Sequence, residues 1–434
     1  MKCDGCHLES ERTEIFKSVN RFFRSKDLTL CPACFEKKDD KTNVILIWSY
    51  LICGLASFPF ILYSPTRSVG LLLLNISVFQ LFVLFSTVLH ELGHAIAGRL
   101  AGIRVFGIEI GKGPVVYEFL VARIRWRVRA IAFGGITRGV PFTAHLFRLK
   151  ELIYVLGGPA TNAVLLFLSI KFISLDEVFQ STTFSGFVPM LLLALSNFLL
   201  LVFSLWPHMA NSTAGKTPND GLLLWKIWWF DKPKINETLA IRYLREADEC
   251  RLQKDLIGMK KWIEEGLCFF PHNPHLKISA VGILGLQKKY PEALRAYALL
   301  VGRDKKNENL DSLLLNNIAY TCVLMGKPKL LARADACSRI ALKLMPWVVH
   351  YKGTRGSVLV EQGKYDEGLK LLHDALRNHP EKTGKALDAC HIAIAEARRG
   401  NLSESRNYFA LARKLDPDCT LLEREAILQN ASNA

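Results

Sequence analysis

The chain has 434 residues, 50% of them hydrophobic and 22% charged, and one ordinary domain uses only about 100–200. Those proportions argue against a wholly soluble chain and against a bare membrane bundle, and fit a protein that is part membrane and part soluble. The formal charge is +16, which nucleic-acid binding or the basic loops of a membrane protein would both produce, so its placement decides. The first 40 residues are polar, so no cleavable signal peptide is expected. The cysteines number eleven, with four in two CxxC pairs, which is the usage of a reducing compartment with a metal site rather than a disulfide framework.

The first expected element is residues 1–41, where CDGC and CPAC place Cys3, Cys6, Cys31 and Cys34. Two such knuckles can put four thiolates around one tetrahedral zinc, with Zn–S near ~2.3 Å. The spacer suits a small β-rich ribbon, and His7 reads as a bystander.

A membrane domain is expected over 42–230, with spans near 44–63, 69–98, 150–173 and 186–207. Each segment is long enough to cross ~30 Å of hydrocarbon at 1.5 Å per residue. The second span ends in HELGH, residues 90–94. On a helix, His90 and His94 fall on one face, where both can bind one zinc, and Glu91 is the base that takes a proton from the attacking water. Ionisable residues in a membrane segment are expensive unless they are used. Gly93 removes a side chain that could block the approach to the metal.

Ten Lys and Arg against two Glu lie between Arg99 and Lys150, whereas residues 174–185 hold two acids and no base. The positive-inside rule then puts both termini and the 99–150 loop in the cytosol. It also accounts for much of the basic excess, so nucleic-acid binding is not expected. Within that loop, ARIRWRVRAIAF alternates basic and apolar residues, the period-two mark of a one-faced strand. Gly111, Gly113 and Pro114 supply a turn and Gly134–Gly135 ends the strand, giving either a plain surface hairpin or one lying beside the active site. A catalytic zinc keeps three protein ligands and one open position. The third is expected to be Asp220 in TPNDG, with His208 in LWPHM as its competitor. Trp225, Trp228 and Trp229 read as an interfacial belt anchoring an amphipathic stretch.

From residue 237 to 434 the pattern turns helical and repeats. Residues 356–380 align with 393–417, placing Gly363 on Gly400, Ala375 on Ala412 and Pro380 on Pro417. The period resembles tetratricopeptide repeats. Looser units run through 239–271, 288–300 and 325–346, with a capping helix near 421–430. Such units bury their apolar faces only by stacking. The expected fold is therefore mainly α: a polytopic helical core with a small β-hairpin, an N-terminal zinc ribbon and a C-terminal α-solenoid.

Over residues 70–225 the motifs resemble the site-2 protease family of intramembrane zinc metalloproteases. They are HELGH, then IGKGPVVYEF with AFGGITRG, then GGPATN at 157–162 and NDG at 219–221. The resemblance implies His90, His94 and Asp220 as zinc ligands and Glu91 as general base. It also implies that Asn162 positions substrate or stabilises the oxyanion, and that Gly134 and Gly135 shape the edge against which an extended substrate lies. This sequence departs from the family in separating Pro207 from Pro218 and in placing Asn219 where a leucine is usual. The resemblance implies a multi-pass enzyme, suited to a bacterial inner membrane, that cleaves membrane-protein substrates. One catalytic zinc and one structural zinc in the ribbon are expected, and the repeats are expected to recruit a substrate tail or a protein partner. The alternative is an inactive scaffold that binds helices and works through its repeats. A metal transporter would need more spans and more intramembrane ligands.

Overall fold

A computed structural model describes residues 17–19, 28–30, 34, 49–183, 186–212, 215–301, 308–379 and 381–425. Two short strands, β1 (Lys17–Val19) and β2 (Leu28–Leu30), pair antiparallel in the spacer between the CxxC pairs. Cys3, Cys6 and Cys31 lie outside the described residues.

Residues 33–253 form one unit and residues 254–434, with 1–32, the other. The first unit is built on α2 (Arg67–Leu100), which packs against α3 (Phe147–Phe172) and α5 (Pro189–Leu205). The run Ser64–Leu100 and α3 are the two described helices long and apolar enough to cross a membrane. The other two expected spans are shorter helices, α1 (Ser49–Leu62) and α5 with 17 residues. Backbone chemistry sets their C-terminal ends, at Leu62 and Leu205. A Pro65-containing 3-10 turn separates α1 from α2. Trp206 goes extended at the end of α5, as expected of a residue before proline. Residues 44–48 lie outside the described residues. α2 and α3 touch backbone to backbone: a methyl group on Gly157 would lie 2.7 Å from Ala97 Cβ and closer still to the Gly93 carbonyl.

Between α2 and α3 run β3 (Ile103–Val121) and β4 (Ile124–Pro141), an antiparallel pair with several register shifts. Its turn is not at Gly111–Pro114, where the sequence placed it, but at Ala122–Arg123, both with positive φ, where Val121 faces Ile124. Gly111, with φ +90°, instead bends β3 in mid-course. The bend lets residues 107–110 pair twice, with 135–138 on one side and with 125–128 on the other, while 103–105 pair with 139–141 alone. One face is apolar and packs on α2 through Ile108, Ile110, Trp126 and Val88. The other carries the expected row of arginines. Arg129 and Arg138 bind the buried Glu109 at 2.8 and 3.1 Å. Burial pushes the Glu109 carboxyl up, but these guanidiniums outweigh it and hold the group below its usual range. α7 (Lys232–Leu252) lays Glu246 against Arg104 at 2.9 Å and Arg123 at 3.1 Å.

The second unit carries α8 (Leu256–Phe269), α9 (Pro274–Leu286), α10 (Tyr290–Leu300), α11 (Glu308–Met325), α12 (Leu331–Leu344), α13 (Val349–Glu361), α14 (Tyr365–Asn378), α15 (Lys382–Arg398) and α16 (Leu402–Leu415). Consecutive helices pack on one another, as in a solenoid. Gly326, Gly363 and Gly400 take positive φ at every second helix turn, within successive helix pairs, which glycine does without strain. A 3-10 turn at Pro328–Leu330 absorbs the extra residues of the 325–346 unit. After α16 come a 3-10 turn at Thr420–Leu422 and helix to 425; the rest of the expected cap lies outside the described residues.

Candidate metal centre

HELGH lies within the last three turns of α2, and α3 packs against it there. Pro159 lies inside α3. It cannot donate to the carbonyl four residues back, and its ring crowds that turn. The carbonyl of Tyr154, one residue before the acceptor that Pro159 leaves without a donor, lies 2.8 Å from His94 Nδ1. Gly158 N–H also approaches Nδ1, at 3.3 Å, but the shorter contact is to an atom that can only accept, which assigns the proton to Nδ1 and leaves Nε2 as the ligand atom.

Asp220 opens α6 (Asp220–Lys226) immediately after its N-cap, Asn219. The Asn219 side chain accepts from Leu222 N at 3.1 Å and donates to the Ser204 and Trp206 carbonyls, each at 2.8 Å. One residue thus caps α6 and fastens it to the end of α5. The stretch that lengthens this loop relative to the family pattern folds away as a hairpin of β5 (Met209–Ser212) and β6 (Gly215–Pro218). Its ends meet where Asn219 N donates to the His208 carbonyl at 3.1 Å. The insertion therefore does not displace Asp220. At Gly221 a methyl group would strike the Leu205 carbonyl, so the approach of α6 to α5 requires glycine there.

His90, His94 and Asp220 each offer one ligand atom, all within 4.8 Å of one another, the one such group of three among the described residues. His90 Nε2 lies 3.1 Å from Asp220 Oδ2 and 3.1 Å from His94 Nε2, and His94 Nε2 lies 3.5 Å from Asp220 Oδ2. A tetrahedral zinc at ~2.0–2.1 Å from each atom would hold the three about 3.3 Å apart. The triangle fits such an ion. Gly158 provides the room: a methyl group there would lie 2.5 Å from His90 Nε2 and closer to His94 Nε2. Burial pushes the Asp220 carboxyl up, but the His90 and His94 imidazoles beside it outweigh that and take the group down to about 2. His208 stands apart, exposed, with Nδ1 on the Trp206 carbonyl at 2.8 Å.

Glu91 is buried and faces the last strand of the sheet. Thr137 Oγ1 donates to its Oε2 at 2.7 Å, and Tyr154 Oη donates to the Thr137 carbonyl at 2.6 Å. Gly135 also lies against it, since a methyl group there would be 2.5 Å from Glu91 Cγ. Gly134, with φ +75°, begins this exposed edge. Asn162 is fully buried, with Nδ2 3.1 Å from His90 Nδ1. Sequence patterns gave no role to Thr137, Tyr154 or Gly158, and marked Asn219 only as a departure from the leucine usual in the family. Only Gly158 had a usable signal, its place one turn before Asn162 on the helix facing HELGH.

Residues 78–219 match the model of peptidase family M50. A stretch of 54 residues is 37% identical to a protein of Chlamydia trachomatis serovar D described provisionally as a zinc metalloprotease; it takes in 12% of this chain and 9% of that relative. Both matches support a metalloprotease. Among solved structures, a thermophilic TPR protein of Thermus thermophilus is similar at 18% identity and a TM-score of 0.36, covering 44% of this chain and 98% of its own. A MamA structure from Desulfovibrio magneticus RS-1 aligns at 10% identity and a TM-score of 0.30, over 42% and 97%.

Proposed function

We propose that this chain is an intramembrane zinc metalloprotease that hydrolyses peptide bonds in or near transmembrane segments of membrane proteins. The observation that carries the reading is the meeting of His90, His94 and Asp220 at zinc-ligand spacing, one residue from a buried glutamate. His90 lies 23 residues along α2 from Arg67, about 35 Å at 1.5 Å per residue. That length supports a centre near the far end of a ~30 Å hydrocarbon layer.

When bound, zinc supplies a Lewis acid for the scissile carbonyl and acidifies a water. The remaining work belongs to the chain. Glu91 Oε takes the proton of the attacking water and hands it to the leaving amine. Thr137 holds Glu91 through its other oxygen. The Gly134–Gly135 edge offers unpaired backbone to an unwound substrate strand, since a helix hides its carbonyls. The four apolar segments are read as a multi-pass core with both ends cytosolic, in a bacterial inner membrane. The repeats recruit a substrate tail or protein partner, and Cys3, Cys6, Cys31 and Cys34 hold a second, structural zinc. No nucleic acid is involved.

The test is cleavage of single-span membrane proteins co-reconstituted with the full chain, beside Glu91→Gln and beside a zinc chelator. Cleavage that disappears in both controls supports the reading. Cleavage that persists in Glu91→Gln would refute the assigned base. Intact substrate together with absence of zinc at the His90–His94–Asp220 centre would refute the enzyme reading and leave the scaffold.

A further inference from the structure

Asn162 has a chemistry that the GGPATN resemblance does not assign. Its side chain has no exposed surface, so it presents nothing to a substrate or to a developing oxyanion, which must sit at the open side of the centre. Its amide instead meets His90 at the ring nitrogen that points away from the ligand triangle, Nδ1, at 3.1 Å. Its other amide atom, Oδ1, is buried without a hydrogen-bond partner.

The two orientations of the amide differ in what they permit at His90. With Nδ2 toward Nδ1, the ring nitrogen must accept, so the proton sits on Nε2 and the metal-facing nitrogen has no lone pair. With the amide turned over, Oδ1 accepts from Nδ1–H and Nε2 is bare. Amide nitrogen and oxygen occupy nearly the same volume, so the turn needs no repacking. It merely exchanges which atom lies unpartnered on the far side, and the His90 bond therefore decides it. Tyr154 does the same for His94 with a carbonyl that can only accept.

Resting on the metalloprotease reading above, we propose that Asn162 is a positioning residue of the metal centre. Its side-chain carbonyl accepts the His90 Nδ1 proton, sets the tautomer that binds zinc and fixes the ring. It is not an oxyanion donor.

The test is zinc affinity, measured on the full chain by chelator competition. The relevant zinc is defined as the one lost in Asp220→Ala, which separates it from any cysteine-bound zinc. Removing such a partner typically weakens metal binding by about 10–100-fold. Asn162→Ala and Asn162→Leu, the latter close to asparagine in volume, are expected to show that loss. Asn162→Asp is expected to bind within about threefold of wild type, because a carboxylate is an acceptor only. Unfolding with chelator present reports on folding separately, and if the alanine variant is unstable the Asp–Leu comparison decides. Wild-type affinity in Asn162→Leu would overturn the proposal, as would a loss in Asn162→Asp equal to that in Asn162→Leu. Absence of any zinc difference between wild type and Asp220→Ala would instead overturn the metalloprotease reading itself.

Discussion

Substituting Gly158 with alanine separates metal binding from folding more cleanly than removing a ligand does. The added methyl group would lie 2.5 Å from His90 Nε2 and 2.7 Å from His90 Cε1, and closer still to His94 Nε2. An ordinary contact is ~3.5 Å, so both rings must retreat by about 1 Å. A zinc site tolerates deviations of only about ±0.2 Å in its ligand distances. Zinc affinity is therefore expected to fall by at least the roughly 100-fold that marks the upper end for losing a supporting partner. Helix propensity acts the other way, since alanine inside a helix is favoured over glycine by about 1 kcal/mol. Crowding two buried rings costs about 1–3 kcal/mol with or without zinc, so in chelator Gly158→Ala should unfold near or slightly below the wild-type temperature. Chelator competition for zinc and thermal unfolding in detergent, with and without chelator, give both readouts. Wild-type zinc affinity in Gly158→Ala would refute the placement of the two imidazoles around this glycine. Gly157→Ala is the contrast, because its methyl would drive Ala97 and the Gly93 backbone away and should lower stability with or without zinc.

Thr137→Val removes the hydrogen bond to Glu91 Oε2. A bond to a charged group contributes about 1.5–3 kcal/mol, so kcat should fall about 10–100-fold with KM and zinc content unchanged, and Thr137→Ser should restore it; an unchanged kcat in the valine variant would dismiss the role. Glu246→Ala strands the buried Arg104, which should destabilise the first unit by about 3–5 kcal/mol, read from denaturant unfolding of the full chain, and a change under about 1 kcal/mol, the scale of an exposed pair, would show that the pair is not buried as described. In the repeats, burial pushes the Asp388 carboxyl from 3.8 up to about 8. Folding therefore favours its neutral form: the group does not penalise the fold below pH ~4, and stability drains away as pH rises through ~8. Asp388→Asn should match wild type at pH ~4 and surpass it increasingly up to pH ~8, measured as the difference in unfolding temperature, which also cancels the opposing titration of His391, pushed down to about 3 by burial. A difference independent of pH would refute a neutral Asp388.

Much of the molecule was legible because its signals are local. HELGH marks two candidate ligands and a candidate base through helical spacing alone, and α2 puts the two histidines on one face. The alternation of Arg125, Arg127 and Arg129 with Trp126 and Val128 reads directly as a two-faced strand, and the structure puts Glu109 under those arginines. Gly363 and Gly400 mark repeat turns because positive φ is a local demand. Other features had no local signal. The hairpin turn at Ala122–Arg123 carries neither glycine nor proline; Gly111, the better turn residue, became a bend because pairing with two segments required one there. Pro65 and Pro207 fix where the first and fourth apolar helices end, whatever the hydropathy beyond them.

Sequence by itself determined which residue types could hold a metal and which helix would carry two of them, since i and i+4 spacing is a property of one helix. Tertiary structure alone decided between Asp220 and His208 as the residue beside that pair. The choice depended on Asn219 latching α6 to the end of α5 while a hairpin took up the ten residues between the prolines. Tertiary structure also brought Thr137 to Glu91, and Tyr154 and Asn162 to the outer nitrogens of the two histidines. Such partners lie 46 to 72 residues apart in the chain. Their hydrogen bonds exist only because α3 and the sheet edge close on α2 where Gly93, Gly157 and Gly158 have no side chains to keep them apart.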